Sequence, residues 1–192
     1  MRKLALLCAV VLLSSVGADR ADKNGPIKGL HYAESKLRES GTKLVIIRAG
    51  SFQENIAGAI AAAKQAGIFP NFAPSADAPL PQVATQDIGH LAAKLLRSPP
   101  DRSEVVDLVG PAYSARQLAE KLGKALGKTL PVVDIPPAGH AAALTQAGVP
   151  RQVAEAFAEM YAGFAAGLLT PKGDRTVQAT TPIDEVLPKL LG

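Results

Sequence analysis

Two uninterrupted apolar runs, separated by an amphipathic segment, constrain the fold of this chain most. The first run is Ala9 to Leu13 and the second is Leu44 to Ile47. Such runs of Val, Leu and Ile are typical of parallel strands that helices cover on both faces. Residues 28–40, between the runs, place apolar side chains on one helical face and charged side chains on the other. The pattern predicts a βαβ unit with parallel strands and a right-handed crossover.

The first apolar run also has a second interpretation. Basic residues precede it, and Val16-Gly17-Ala18 follow it, which is typical of a secretory signal cleaved after Ala18. The run is too short to span a bilayer, so no membrane anchor is predicted. A core strand would be retained in a cytoplasmic protein, whereas a cleaved signal would give a secreted or periplasmic one. Cys8 is the only cysteine, which excludes an intrachain disulfide, and we interpret it as a small core residue.

Strands and helices alternate up to about residue 110, and the remainder is mostly helical. A third strand is predicted at residues 104–109, and a helix beginning at Ser114 is predicted to end near Gly127. The fold class is therefore α/β, with a parallel sheet and flanking helices in residues 1–110. A small, mostly helical lobe follows in residues 111–192.

Polar residues at predicted helix starts supply the expected caps. Ser51 with Glu54 and Ser114 with Gln117 have the spacing of capping boxes. Thr85 and Thr181 are predicted to be the N-caps of two further helices.

Composition argues against several classes of partner. The formal net charge is +4, the basic residues are scattered among acidic ones, and aromatic residues make up 4% with no Trp. Stacking platforms for single-stranded nucleic acid are hard to build from this composition, so no nucleic-acid partner is predicted. His90 and His140 are isolated in sequence, and no metal site is predicted.

Several short segments occur in the order seen in one known family. They are Leu12–Ala18, Gly25–Ile27, His31–Leu37, Ser40–Thr42, Ile47–Asn55 and Ala84–Gly89. Through these segments the sequence resembles the NmrA-like NAD(P)-binding proteins, atypical relatives of the short-chain dehydrogenases that include NAD(P)H:quinone reductases. The resemblance implies a partial Rossmann-like sheet and a retained first strand.

The resemblance also implies where a cofactor would bind. In open parallel sheets, ligands bind beyond the carboxyl ends of the strands. The implied cofactor-binding residues are Ser14, Ser15, His31, Gly50, Ser51, Phe52, Glu54 and Asn55. The alternatives are a purely capping role for Ser51 and Glu54 and a core role for Phe52. The implied cofactor is NAD(P), with NADP slightly favoured.

One feature of the family is absent from this sequence. Its members open with a strand, a Gly-x-x-Gly-x-x-Gly turn and a helix whose N-terminus receives the pyrophosphate. Residues 1–50 hold only widely spaced glycines. Either the gene model is cut short or the protein lacks the pyrophosphate half of its own cofactor site, and we favour the first. The missing part would be on the order of 90 residues, or three βα pairs of about 30 residues each. Such a sheet is expected to expose an unpaired strand edge and to favour self-association.

The sequence assigns no catalytic residue. Tyr32 and Lys36 have the spacing of the catalytic pair of classical short-chain dehydrogenases, and both would lie on one helical face. Alignment with the family on Glu34, Leu37 and Ser40-Gly41, however, places the position of that tyrosine around Pro26 or Ile27. We therefore interpret the Tyr32–Lys36 spacing as accidental.

Three functions remain open from the sequence. The first is an NAD(P)H-dependent oxidoreductase acting on a quinone or a similar small acceptor. The second is a non-catalytic NAD(P) sensor that contacts a regulatory protein. The third is a secreted protein of unknown role.

Overall fold

The computed structural model describes residues 9–192. The basic residues that precede the first apolar run, and Cys8, lie outside the described residues. The strands are β1 (Ala9–Ser15), β2 (Lys43–Ala49), β3 (Ser51–Phe52), β4 (Phe69–Asn71), β5 (Leu80–Val83), β6 (Glu104–Val109), β7 (Ala112–Tyr113), β8 (Val132–Asp134) and β9 (Arg175–Gln178). The helices are α1 (Lys28–Glu39), α2 (Ala57–Gln65), α3 (Thr85–Arg97), α4 (Ala115–Leu126), α5 (His140–Gln146), α6 (Arg151–Ala165) and α7 (Ile183–Leu191).

A four-stranded parallel sheet forms the centre of the fold. Its strand order is β1-β2-β6-β9, and every neighbouring pair is parallel. Val45, Ile47 and Val106 are fully buried in the core that helices cover. The α/β prediction is confirmed, and so are the three predicted strands, which correspond to β1, β2 and β6.

β9 was not predicted from the sequence. Arg175–Gln178 pairs with Val106–Val109 and closes the far side of the sheet. It lies inside the predicted C-terminal lobe, which is mostly helical yet contributes this strand. A lobe boundary near residue 110 stays a prediction.

β1 is a strand from Ala9 to Ser15, as the first interpretation of the apolar run predicted. It pairs in register with β2 from Ala9 and Lys43 to Ser15 and Ala49. Val16 and Ala18, where the alternative interpretation placed a cleavage site, are buried. The free side of β1 forms one edge of the described sheet, and Leu13 on it is 44% exposed.

Three of the four predicted helix caps are wrong. After β3, residues 53–56 form a short 3₁₀ turn and α2 begins at Ala57, so Ser51 and Glu54 form no capping box. Glu54 instead accepts hydrogen bonds from the amide and hydroxyl of Thr85 at the start of α3. Spacing alone cannot show which amides a carboxylate reaches in the fold.

Thr85 is the first residue of α3 and not its N-cap, which is Ala84. Of the other two predicted caps, one is wrong and one is confirmed. Thr181 does not cap α7, because its hydroxyl donates to the Asp87 carboxylate at 2.8 Å. The capping box of Ser114 and Gln117 is confirmed, with both reciprocal hydrogen bonds present. α4 ends at Leu126, near Gly127 as predicted, and Gly127 caps it in the left-handed conformation.

α6 lies against the segment that follows β1. A Cβ on Gly25 would come within 2.0 Å of the Ala156 carbonyl oxygen, and one on Gly163 within 2.4 Å of the Lys23 carbonyl oxygen. These contacts leave room only for glycine, so the helix and the loop approach backbone to backbone. This approach brings one face of α6 over the carboxyl end of β1.

Within residues 9–192, the structure contains no helix both long and apolar enough to cross a membrane.

Candidate functional site

A crevice lies at the carboxyl ends of β1 and β2, and α6 forms its opposite wall. It consists of two adjoining cavities with volumes of about 370 Å³ and about 470 Å³. Volumes in this range are ordinary for sites that bind small molecules. The residues that line both cavities are Val16, Gly50, Ser51, Asn55, Phe157, Met160 and Phe164. The two cavities are therefore separate lobes of one site.

The smaller cavity collects most of the residues that the sequence singled out. Ser14 and Ser15 come from the end of β1, and the other predicted residues come from the segment after β2. The predicted residues in its lining are Ser14, Ser15, Gly50, Ser51, Phe52 and Asn55. The parallel sheet causes this convergence, since neighbouring parallel strands end at the same edge.

His31 and Glu54 line neither cavity. The Nδ1 atom of His31 lies 2.9 Å from the Ala18 carbonyl oxygen, and Glu54 is engaged with Thr85. A cofactor contact by either residue stays a prediction.

A network of charged side chains holds the Ser14 hydroxyl in one orientation on the side away from the cavity. This hydroxyl donates to Glu34 Oε1 at 2.6 Å, and Glu34 is fully buried. Arg48 holds both carboxylate oxygens, through Nε at 2.9 Å and Nη2 at 2.6 Å, and Arg38 adds a bond of 3.0 Å. Burial raises the pKa of Glu34, but the hydrogen bonds from Arg48, Ser14 and Arg38 outweigh it and leave this pKa below its ordinary value.

The network determines what Ser14 offers to a ligand. An ionised carboxylate can only accept hydrogen bonds, so the Ser14 proton is committed to Glu34. The Ser14 oxygen is then left as an acceptor at the wall of the smaller cavity.

The larger cavity is almost entirely apolar. Of the twenty residues in the described part of the chain that line it, only Ser51, Asn55 and Tyr161 carry polar side chains. Ser51 and Asn55 are joined by a hydrogen bond of 3.3 Å and also line the smaller cavity. Tyr161 belongs to the larger cavity alone.

Sequence reasoning missed the α6 wall. Phe157, Met160, Tyr161 and Phe164 follow the i, i+3, i+4, i+7 spacing of one helical face, a signal that was available. The spacing indicates a buried or covered face but not what lies opposite it. Phe72, from the proline-rich segment after β4, completes this wall and carried no such signal.

The Tyr32–Lys36 pair lies away from the crevice. Tyr32 is 64% exposed, and Lys36 Nζ lies 5.8 Å from the centre of its ring while it pairs with Glu39. Neither residue lines a cavity.

Comparison with known proteins finds one matching family and several similar proteins. The NmrA-like family matches residues 12–185. Quinone oxidoreductase 2 of Escherichia coli (strain K12) is 28% identical over 135 residues, which is 70% of this chain and 46% of that protein. NAD(P)H azoreductase of Xenophilus azovorans is 26% identical over 130 residues, which is 67% of this chain and 45% of that protein. The chain thus spans about half the length of the curated relatives it matches.

Solved structures share the fold over nearly the whole chain. An NADPH-dependent quinone oxidoreductase from Escherichia coli, complexed with NADPH, superposes with a TM-score of 0.78 at 24% identity. The match covers 96% of this chain and 66% of that one. Triphenylmethane reductase from Citrobacter sp., complexed with NADP(H), has a TM-score of 0.75 at 20% identity, covering 95% of this chain and 65% of the other.

Proposed function

The chain belongs to the NmrA-like family, and on that premise we propose that it is an NAD(P)H-dependent oxidoreductase that reduces a quinone or a similar small acceptor. The names of its relatives, a quinone oxidoreductase and an azoreductase, support this reaction class. NADPH is proposed over NADH because the solved relatives include complexes with NADPH and NADP(H).

The observation that carries the proposal is the pairing of two cavities across a shared wall. The smaller one gathers polar groups from the ends of two parallel strands, which suits the nicotinamide end of a cofactor. The larger one is apolar and opens directly beside it, which suits a flat organic acceptor. Direct hydride transfer needs the two reactants in contact, and this arrangement permits it.

The residues of the smaller cavity fit a nicotinamide. Ser14 offers an acceptor for the carboxamide N–H, and Ser51 and Asn55 offer hydroxyl and amide groups at the rim. Phe52, Ile27 and Leu30 supply apolar contact for a ring. The bound cofactor would supply the hydride chemistry, while these residues would bind and orient it and exclude water.

A variant at Gly50 tests the proposal. Gly50 lines both cavities, and a Cβ there would have only the Pro81 carbonyl oxygen near it, at 3.5 Å. Gly50→Leu should therefore fill the junction of the cavities without a backbone clash. We expect it to weaken NADPH binding, followed by cofactor fluorescence, at least tenfold and to abolish NADPH-dependent reduction of a quinone panel.

Gly89→Leu is the matched control. Gly89 lies on the exposed side of α3, and a Cβ there would meet nothing within 4 Å. This variant should bind and turn over NADPH like the wild-type protein. Binding of NADPH without turnover of any quinone would contradict the oxidoreductase and favour a cofactor sensor. No binding by the wild-type chain at millimolar NADPH would overturn the proposal entirely.

A further inference from the structure

We propose that the larger cavity is the acceptor subsite, where the Tyr161 hydroxyl donates a hydrogen bond to a carbonyl oxygen of a flat, ring-shaped ligand. This inference rests on the proposed function, since it assigns the acceptor to the larger cavity, the part of the crevice that the cofactor would leave open. It names both a ligand class, planar aromatic carbonyl compounds, and the residue that recognises the carbonyl.

The first argument for an acceptor subsite is the polarity of the residues that line the larger cavity. Apart from Ser51 and Asn55, which also line the smaller cavity, Tyr161 is the one polar side chain among the residues that line the larger cavity. A polar group on an otherwise apolar wall fixes the orientation of a ligand, because a ligand dipole has few alternative partners. Tyr161 is thus the residue placed to select a ligand with a polar edge.

The second argument is that the Tyr161 hydroxyl is available for a hydrogen bond to a ligand. The hydroxyl oxygen of Tyr113 accepts from the Ile183 amide at 3.0 Å, whereas no residue of the described chain bonds to the Tyr161 hydroxyl. Burial raises the pKa of Tyr161, so this hydroxyl keeps its proton at neutral pH. A half-buried phenol without a protein partner can donate its hydrogen bond to a ligand that supplies an acceptor.

The third argument is the packing of aromatic rings around Tyr161. The ring of Phe72 stacks on that of Tyr161, with centroids 5.3 Å apart and planes inclined by 16°. The His140 ring meets both edge-on at 5.3 and 5.4 Å, and its Nε2 atom lies 2.9 Å from the Ile135 carbonyl oxygen. These contacts hold the Tyr161 ring in place, so its hydroxyl is already positioned before a ligand arrives.

Paired ligands that differ only in the carbonyl groups test the inference without a cofactor. We would measure equilibrium dialysis of the full chain against 2,3-dimethyl-1,4-naphthoquinone and against 2,3-dimethylnaphthalene. The first compound has two carbonyl acceptors, and its two methyl groups block the quinone-ring positions that a thiol would attack. The second compound has the same two fused rings and methyl groups but no carbonyl group. Wild-type protein, Tyr161→Phe and Tyr32→Phe would be compared, with circular dichroism as the folding check.

We expect Tyr161→Phe to weaken naphthoquinone binding about three- to tenfold, the range of one uncharged hydrogen bond, and to leave naphthalene binding unchanged. Tyr32→Phe removes an exposed hydroxyl outside the crevice and should change neither affinity. Equal losses for both ligands would show a role in packing and overturn the proposal. Naphthoquinone binding equal to wild type in Tyr161→Phe, or absent in the wild-type chain, would also overturn it.

The outcome is separable from that of the proposed function. Tyr161-dependent quinone binding in a chain that never oxidises NADPH would refute the oxidoreductase alone. Quinone reduction with full naphthoquinone affinity in Tyr161→Phe would refute the role of Tyr161 alone.

Discussion

At the scale of single residues, Glu34 is the most consequential polar group near the crevice. It is fully buried and bonds Arg48, which is itself nearly buried, as well as Ser14 and the half-exposed Arg38. Removing one partner of a buried ion pair leaves the other charge uncompensated, whereas a partner at the surface is screened by water. Glu34 thus affects stability and the presentation of Ser14 together.

Glu34→Gln should lower the free energy of unfolding at pH 7 by about 3–5 kcal/mol. Because the pKa of Glu34 lies below its ordinary value, its contribution is complete above the unfolded-state pKa and is lost as the pH falls through the folded-state pKa. The difference between wild type and variant should therefore shrink in acid. Urea denaturation between pH 3 and pH 7 measures this difference.

Arg38→Gln is the comparison for that measurement. The Arg38 guanidinium binds the same Glu34 carboxylate but is half-exposed. Its removal should therefore lower the free energy of unfolding by less than about 1 kcal/mol. Equal unfolding free energies for wild type and Glu34→Gln at pH 7 would contradict the assigned role of the network.

At the scale of elements, the cap of α3 comes from a distant part of the chain. Glu54 bonds the Thr85 amide at 2.9 Å and its hydroxyl at 2.6 Å, thirty-one residues along the sequence. Glu54→Ala should therefore lower the free energy of unfolding by about 1 kcal/mol, as loss of a helix cap does. Ser114→Ala, at the confirmed capping box of α4, should cost a similar amount.

A Ser51→Ala variant distinguishes the observed cap of α3, made by Glu54, from the capping box of Ser51 and Glu54 that the sequence predicts. Ser51 caps no helix, and its hydroxyl accepts only a 3.3 Å bond from Asn55. Thermal unfolding should show a smaller loss for Ser51→Ala than for Glu54→Ala. The reverse order would contradict the cap described here.

The elements differ in how far the sequence could predict them. β1, β2 and β6 carry apolar runs, so the hydrophobic pattern was sufficient to predict them, although β1 at the sheet edge is less buried than β2 and β6. β9 reads Arg-Thr-Val-Gln, and its position at the sheet edge leaves most of it exposed, so it has no apolar run to detect. Likewise, Glu54 was assigned to the nearest helix because a spacing rule sees only local partners.

At the scale of the whole molecule, the crevice joins segments that are distant in sequence. The strand-end residues could be predicted, because parallel topology brings the ends of β1 and β2 together. The opposite wall depends on how α6 docks, through the close approaches at Gly25 and Gly163. The helical spacing of α6 indicates that Tyr161 lies on a covered face, but the placement of Tyr161 and Phe72 at the crevice depends on tertiary packing.

The other functional assignments depend on the proposal that this crevice binds a nicotinamide cofactor, and an amide NMR titration with NADP⁺ measures such binding residue by residue. The amides of Ser15, Ser51 and Asn55 should shift together in a saturable way, because these residues line the smaller cavity. Tyr32 and Lys36, on the outer face of α1, should not move. Shifts clustered at α1, or none at millimolar NADP⁺, would contradict the proposal.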